Sequence, residues 1–289
     1  MIDLHMHTKF SDGTDDVEDI LKKAEFQNLD YISITDHNTV DAYNILDKIN
    51  INKYYSGHII NGVELNTKVL NIPIEVLGYN FDYKLLQEKL ASVYISAEER
   101  NKIEFSRLVQ KCNMAGIEID DNAIKNYDCR SFASKYIHKI ITSNSNNKKS
   151  IDNDAWENSN IFYRKYMSNP STPFYVEMDD IVPDFETTSK LIKDCGGQIF
   201  LPHIYEYKDN SEKILEFILN NHQIDGIECY YTTFSKEQSN FLLNLCEKRN
   251  LLISGGSDYH GKNKPNVNIG IGFGNLQIPN TILNNWTVK

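Results

Sequence analysis

The chain has 289 residues, of which 40% are hydrophobic and 24% charged, with a formal net charge of -10. That supplies enough apolar material for a globular core and room for one large barrel-like domain or a domain carrying an insertion. An acidic balance offers no general attraction for a nucleic-acid backbone and no apolar run nears membrane-spanning length, so neither long DNA or RNA nor a membrane is an expected partner.

The first stretch, residues 2–12, reads IDLHMHTKFSD. It begins as a strand and places His5 and His7 at i and i+2, on one face, with Leu4 and Met6 on the other. Neutral imidazole is the commonest ligand for transition metals, and Asp12 follows on the next loop, close enough to join. A short His-x-His pattern also arises on ordinary surface strands, so its meaning depends on further ligands downstream. Residues 15–28 carry Val17, Ile20, Leu21 and Ala24 at helical spacing, with Asp15 or Asp16 placed to cap the start. The β-branched run 31–35 ends in Asp36–His37, a helix follows over 40–50, and 58–66 is a third strand carrying Glu64. Strand, helix, strand, helix, strand is the rhythm of parallel βαβ units.

Residues 69–81 form a further extended stretch, which Asn71 and Pro73 break into a hairpin, with Glu75 among apolar neighbours. From 83 to about 115 the apolar spacing predicts one long helix. The βαβ rhythm then lapses until about 183, in short helices and an asparagine- and serine-heavy stretch at 143–160, the profile of a helical insertion with a mobile loop. It resumes with a helix over 185–195, a strand over 197–202 ending at His203, a helix over 212–221 and a strand over 225–231. A helix over 235–249 capped by Ser235 and a strand over 251–257 ending at Asp258 and His260 follow. The glycine-rich 270–274 reads as a closing strand and turn. Six or seven βα units with an interruption predict a barrel of fewer than eight strands.

The chemistry collects by position. His5, His7, Asp36, His37, Glu64, His203, Asp258 and His260 all fall at or just past the ends of predicted parallel strands, the face on which such barrels hold their active sites. Singly, each has an ordinary reading as a helix cap, a solvated carboxylate or a core histidine; together on one rim they predict a metal centre. His58, His138 and His222 lie at strand starts or on helices and are expected to serve the fold. Imidazole and carboxylate without cysteine suit zinc, manganese or iron, and the ligands exceed what one ion needs, so two or three divalent ions are expected. Clustered ions activate water and stabilise the attacking and leaving oxygens of phosphoester hydrolysis. No glycine-rich phosphate loop or nucleophile elbow competes. The five cysteines, Cys112, Cys129, Cys195, Cys229 and Cys246, are scattered without a Cys-x-x-Cys pair, which predicts reduced thiols in a cytoplasmic protein.

The motifs DLHMHT with Ser11–Asp12–Gly13, ITDHNT at 34–39, GVELN at 62–66, LPHIY around His203 and GSDYHG at 256–261 together resemble the PHP (polymerase and histidinol phosphatase) domain family. Nearly the whole chain is covered, with the motifs in family order. The resemblance implies an α/β fold, a distorted seven-stranded (β/α) barrel formed by 1–93 and 184–289, with 94–183 a mostly helical insertion covering the active-site face. The subgroup it looks most like is the stand-alone phosphoesterases acting on nucleoside 3′,5′-bisphosphates and short oligonucleotides. By that resemblance His5, His7, Glu64 and Asp258 would hold one metal, Glu64 would bridge to a second bound also by His203, and Asp12, His37 and His260 would hold a third. A bridging hydroxide would attack phosphorus, and Asp36 would orient a ligand histidine.

This chain departs from the subgroup where Glu75 stands for a usual histidine, and Glu75 is carried over as a metal ligand. In the insertion the Gly-Arg-Pro-His pattern becomes Cys129, Arg130, Ser131, Phe132, leaving Arg130 as the phosphate clamp. Glu206 and Phe234 replace an arginine and a histidine. These losses point away from bisphosphates toward a different small phosphorylated substrate, nucleotides among them. The expected activity is thus metal-dependent phosphoester hydrolysis with Asp36, His203 and Arg130 in the catalytic machinery. Alternatives are a cyclic-phosphate or sugar-phosphate diesterase and a metal-retaining protein that binds a ligand without turning it over. A proofreading-type nuclease would need a basic strand-binding surface, which the charge does not suggest. The oligomeric state is left open.

Overall fold

The alternation of β-branched runs and amphipathic segments produces a mixed α/β fold in the computed structural model, which describes residues 1–286. The chain opens with β1 (Ile2–Asp3), α1 (Val17–Phe26), β2 (Tyr31–Ile32), α2 (Asp41–Leu46), β3 (His58–Ile59), β4 (Gly62–Val69), β5 (Ile72–Tyr79) and α3 (Tyr83–Val93). Five helices follow: α4 (Ala97–Met114), α5 (Asp121–Lys125), α6 (Ala133–Ser143), α7 (Asn153–Glu157) and α8 (Ser159–Phe162). The remainder contains α9 (Phe185–Asp194), β6 (Gln198–Leu201), α10 (Ser211–Asn221), β7 (Gly226–Tyr231), α11 (Lys236–Arg249) and β8 (Leu252–Gly256). Two units emerge, one formed by Met1–Tyr94 and the chain from Val182 onward, the other by Ile95–Ile181. Among the described residues no helix is long and apolar enough to cross a membrane.

In the first unit β1, β2 and β3 form a parallel three-stranded sheet, and β4 to β8 a five-stranded sheet in chain order. The larger sheet is mixed: β4, β5 and β6 pair antiparallel, β6, β7 and β8 parallel. The strands therefore lie in two sheets, not in the uniformly parallel set that the βαβ rhythm predicts. β1 is short because side chains take over its ladder. Met6 N donates to Thr35 Oγ1 and Thr8 N to Asp36 Oδ1, where a regular strand would use carbonyls. Backbone bonds nevertheless continue on both sides of residues 4–8: Leu4 N to Gly255 O at 3.0 Å, His7 N to Tyr259 O at 2.9 Å and Thr35 N to Met6 O at 2.8 Å. A side chain at Gly256 would put its Cβ 2.2 Å from that of His5, so only glycine lets the end of β8 pass the opening strand this closely.

The core of this unit gathers Met6, Leu21, Ile34, Val63, Leu65, Ile199 and Ile227. A second cluster joins Ile2, Leu4, Tyr79, Phe200 and Trp286. The unit of Ile95–Ile181 has its own core around Phe105, Leu108, Ile137, Ile141 and Phe162.

Three local expectations are corrected. The hairpin turn falls at Asn71 as expected, but the hairpin extends beyond 69–81: it joins β4 to β5, with Val69 opposite Ile72 and Leu70–Asn71 as its two-residue turn, both at positive φ (51° and 60°). The expected helix over 83–115 is two helices, because Tyr94 is extended and Ser96 caps α4, its side chain accepting from Glu99 N. Residues 270–274 form turns rather than a strand, with Gly270, Gly272 and Gly274 all at positive φ. The cap at Ser235 is as expected, a capping box completed by Gln238. Asp16 stands at the N-cap of α1, but its carboxylate pairs with Lys9 instead of capping.

Two-residue hairpin turns favour Asn-Gly or Asp-Gly, because both positions need φ above zero and a branched Leu there costs about 1 kcal/mol. Leu70→Asn is accordingly expected to raise stability by about 0.5–1 kcal/mol, read as a shift of the urea midpoint with an unchanged slope.

Candidate metal centre

Glu64 is the hub. It is fully buried inside β4, and its two oxygens face four imidazoles. Oε2 lies 3.2 Å from His5 Nε2, 3.2 Å from His7 Nε2 and 3.4 Å from His37 Nδ1, and Oε1 lies 2.9 Å from His203 Nε2. The sequence reading put Glu64 at a strand's C-terminal end; it sits within a strand, where Glu64 N bonds Asp36 O and Asn38 N bonds Glu64 O. Those two bonds set Glu64 beside the Asp36–His37 segment.

A second convergence surrounds Asp12, whose Oδ1 lies 3.0 Å from His260 Nε2 and 3.7 Å from both His7 Nδ1 and His37 Nε2. Asp258 Oδ1 approaches His7 Nε2 at 3.3 Å and His5 Nε2 at 3.6 Å. Glu75, on β5, reaches His203 Nε2 at 3.5 Å and His37 Nδ1 at 4.0 Å. Three groups have ligand atoms close enough to share an ion: His7, Asp12, His37 and His260; His5, His7 and Glu64; His37, Glu64 and Glu75. All nine residues expected as ligands lie in this cluster. The grouping differs from the expected one: His7 faces Asp12 as well as Glu64, His37 faces Glu64 and Glu75 as well as Asp12, and the expected ligands Asp258 and His203 border the three groups without belonging to any of them.

The cluster fits metal ions on its own geometry. His7 Nε2, Asp12 Oδ1, His37 Nδ1 and His203 Nδ1 are buried without a well-directed hydrogen bond. An orphaned buried polar atom costs about 1–3 kcal/mol, and three of these, His7 Nε2, Asp12 Oδ1 and His37 Nδ1, face one imidazole–carboxylate cluster able to hold divalent metal ions. Backbone strain gathers here too: His203 has φ 21° and Asp258 φ 57°, with Asn38, next to His37, at 55°.

Electrostatics follow from the crowding. Burial alone would raise the Glu64 carboxyl, but His5, His37 and His203 hold it well below the usual range. Asp258 is likewise held low, against burial, by Lys264 and the histidines around it. Burial would lower His7, yet the Asp258 and Glu64 carboxylates beside its Nε2 push it up to about 10. His203, also opposed by burial, is pushed up to about 9 by Glu64 and Glu75. Burial and the neighbouring His7 lower His260.

Asp36 does not contact a histidine directly. It accepts from Thr8 N at 2.7 Å, Thr8 Oγ1 at 2.6 Å and Ser11 Oγ at 2.6 Å, and Ser11 Oγ is 3.5 Å from His7 Nδ1. Its work is to lock the 8–11 loop that carries the chain from His7 to Asp12. A carboxylate that the sequence reading missed touches a histidine of the cluster directly. Glu228, buried on β7, sits 2.9 Å from His5 Nδ1 through Oε1 and accepts from His203 N at 2.8 Å through Oε2. A lone carboxylate in the apolar strand GIECYY was the available signal, because a buried charge requires a partner. Tyr231 and Lys264, which both donate to Asp258 Oδ2, were also missed; Tyr231 reads as an ordinary strand aromatic and Lys264 as a loop lysine.

Arg130 belongs to the Ile95–Ile181 unit, in the turn before α6, where its backbone N donates to Asp128 Oδ1. Phe132, in the same unit, is partly exposed beneath Lys135 Nζ. Glu206 accepts from Thr233 Oγ1 at 2.6 Å, and Phe234 packs on Tyr231 and Tyr205. His138 Nε2 satisfies the Ala155 carbonyl, His222 packs on Phe185, and His58 stacks on Tyr31.

The PHP domain profile matches residues 3–231. A 5′-3′ exoribonuclease of Haemophilus influenzae is 24% identical over 269 residues, spanning 89% of this chain and 89% of that protein. The 5′-3′ exoribonuclease Rnm of Escherichia coli is 23% identical over 265 residues, spanning 89% of this chain and 84% of that protein. A Bifidobacterium adolescentis crystal structure, provisionally assigned as a metal-dependent phosphoesterase, matches with TM-score 0.72 at 20% identity, covering 98% of this chain and 94% of that one. An amidohydrolase from Chromobacterium violaceum matches with TM-score 0.66 at 21% identity, covering 93% and 89%. The structural likenesses establish a shared fold.

Two outcomes follow from the site. Glu228→Gln weakens the carboxylate hold on His5 and is expected to lower metal affinity about 10–100-fold, measured by competition with a chelating dye, while the circular dichroism stays native. Metal ligation needs neutral imidazoles, so with His7 near 10 and His203 near 9, loading at neutral pH must displace protons. Apparent affinity is expected to tighten from pH 6 to 8, about tenfold per pH unit for each proton released, in the same titration repeated across pH.

Proposed function

The chain belongs to the PHP domain family, and on that footing we propose that it hydrolyses the phosphoester of a small phosphorylated metabolite, nucleotides among the candidates. It is an enzyme of the metal-dependent phosphoric ester hydrolase class. The observation that carries the substrate class is the Glu64-centred cluster with its orphaned donor atoms, which suits several divalent ions held side by side. Manganese, zinc and iron all match the donor set, and two or three ions match its extent.

Divalent ions bound there would lower the pKa of water and neutralise phosphoryl oxygens. The protein's part is placement. Glu64, His5, His7, Asp258, His203, Glu75, Asp12, His37 and His260 offer the ligand atoms. Glu228 fixes the ring of His5 and the backbone of His203. Asp36, through Thr8 and Ser11, holds the loop that carries Asp12. Arg130 is retained as the phosphate clamp, because it is the cation that survives where Phe132, Glu206 and Phe234 stand for polar groups of the resembled subgroup. A cyclic-phosphate or sugar-phosphate diesterase would use the same metal floor.

The two sheets are proposed to close as the distorted seven-stranded barrel of the family, with residues 58–69 counting as one strand. The bonds Leu4–Gly255, His7–Tyr259 and Asp36–Glu64 support that closure. A reducing, cytoplasmic setting is supported by five unpaired thiols.

A second reading, exonucleolytic trimming of RNA, is favoured by the names of the curated relatives, which span 89% of this chain. The net charge argues against it less than the sequence total suggests. Residues 95–181 hold 12 basic and 13 acidic side chains, so the acidity resides almost wholly in the other unit. A non-catalytic ligand-binding role has no observation of its own, since binding alone rarely needs so many ligands.

The test is a panel of phosphomonoesters, nucleoside bisphosphates, cyclic phosphates and a 5′-phosphorylated oligoribonucleotide, assayed for metal-dependent product release. Turnover of the small esters supports the leading reading, and stepwise shortening of the oligonucleotide alone moves the assignment to RNA. Metal-replete protein inert on the whole panel would end both. With the active substrate, His37→Ala is expected to lower kcat at least about 100-fold, whereas Arg130→Ala raises KM and spares kcat.

A further inference from the structure

We propose that Lys264 binds the substrate's phosphoryl group, supplying from the rim of the metal cluster the cation that Glu206 and Phe234 do not. The inference rests on the phosphoesterase reading above and adds to it a residue that none of the ligand motifs contains.

Lys264 Nζ donates to Asp258 Oδ2 at 2.5 Å, and the same oxygen accepts from Tyr231 OH at 2.6 Å. The other oxygen, Oδ1, faces His7, His5 and His260 at 3.3, 3.6 and 3.2 Å. Asp258 is thus divided: one oxygen looks into the imidazole cluster, and the other ties a phenol and an ammonium to it. The Lys264 side chain is 30% exposed where that of Asp258 is 7%, so the lysine links a buried carboxylate of the cluster to the more open side of the site.

The lysine is held there by its loop. Lys264 N bonds Gly261 O, and Gly261 has φ 63° and lies so close to Thr14 that an added Cβ would fall 2.1 Å from Thr14 Oγ1. Lys262 N donates to Thr14 Oγ1, and Asn263 Nδ2 donates to Asp12 O at 2.6 Å. The 261–264 turn is therefore pinned to the loop carrying Asp12, and from it Lys264 reaches the Asp258 carboxylate.

A phosphomonoester dianion brings three non-bridging oxygens. Those facing the ligand cluster would be neutralised from within it; one facing outward needs a donor at the rim. An ammonium has three N–H donors and Asp258 uses one, leaving two for a phosphoryl oxygen. Elsewhere on this wall the structure places Glu206, engaged by Thr233, and the apolar Phe234. Lysine acts as a point charge rather than a bidentate fork, which suits a terminal phosphate presented in more than one orientation.

Metal-loaded wild type, Lys264→Met and Lys264→Arg are compared by calorimetric titration with inorganic phosphate, with metal content per chain measured on the same samples. Turnover is followed on whichever phosphoester the wild type hydrolyses. Lys264→Met is expected to keep its metal content while phosphate Kd and substrate KM rise about tenfold or more, and Lys264→Arg to recover most of both. Unchanged phosphate affinity in Lys264→Met overturns the proposal, leaving the lysine a partner of Asp258 alone. Loss of metal with unchanged phosphate affinity per loaded site overturns it too and assigns a structural role. If loaded wild type neither binds phosphate nor hydrolyses any phosphoester, the phosphoesterase reading itself fails, an outcome recognisable because it precedes any variant.

Discussion

One buried carboxylate with four imidazoles around it sets the terms for this molecule. Glu64 has almost no contact with solvent, and an isolated carboxylate there would be strongly disfavoured. Its stability depends on positive charge gathered from distant parts of the chain: His5 and His7 from the opening strand, His37 after β2, His203 after β6. The carboxylates of the cluster act back on the rings, pushing His7 up to about 10 and His203 up to about 9. Divalent ions would carry that positive charge. The arrangement makes folding and metal loading share the same electrostatic requirement, so the ligand geometry and the packing of β1, β4 and β6 cannot be altered independently.

The requirement also explains where the fold is irregular. Regular strands place side chains perpendicular to the sheet, and several ligands must instead converge on one point. The chain resolves the conflict by giving up ladder bonds at the site and replacing them with side chains. Thr35 and Asp36 take backbone donors from Met6 and Thr8. Asp3, buried beneath the cluster, accepts from the backbone of His5, Ser257 and Gly270. Each replacement keeps a buried N–H satisfied while freeing the local direction of the chain. His203 and Asp258 pass into the positive-φ region at the same level, and Gly256 removes the side chain that would separate β8 from His5.

The residues of the cluster were legible in the sequence because metal chemistry restricts residue type and because most of them follow β-branched runs. The same logic placed Glu64 correctly in the site for a partly wrong reason: it lies inside a strand that begins two residues earlier and pairs antiparallel with β5. The hairpin was drawn too short because its turn, Leu70–Asn71, lacks the glycine that marks such turns, whereas Asn71 and Pro73 read as breakers. The break between α3 and α4 was hidden because apolar positions continue at helical spacing through Tyr94, and only the Ser96 cap interrupts them. Glu228 escaped because orienting a ligand imposes no spacing motif; it can come from any strand that passes behind the imidazole. Lys264 escaped for a related reason, since its place depends on the 261–264 turn being tied to Thr14 and Asp12 across nearly the whole chain length.

What separates the metal floor from its surrounding wall is the kind of constraint acting on each. The floor couples its residues tightly, because removing one ligand strands a buried charge or donor on several others. The wall is only loosely coupled to it. Phe234 touches the site through Tyr231, which holds the outer oxygen of Asp258. Glu206 is engaged by Thr233, beside that same Tyr231 segment. By the family resemblance, Glu206 and Phe234 stand where a cation and an imidazole are usual, a change that takes positive charge from this wall and leaves the contacts around Glu64 in place. A site built this way can exchange one substrate for another without refolding, provided some other group restores the lost charge at the rim. The Asp258 carboxylate, with its inner oxygen among the imidazoles and its outer oxygen on Tyr231 and Lys264, is the point at which floor and wall meet.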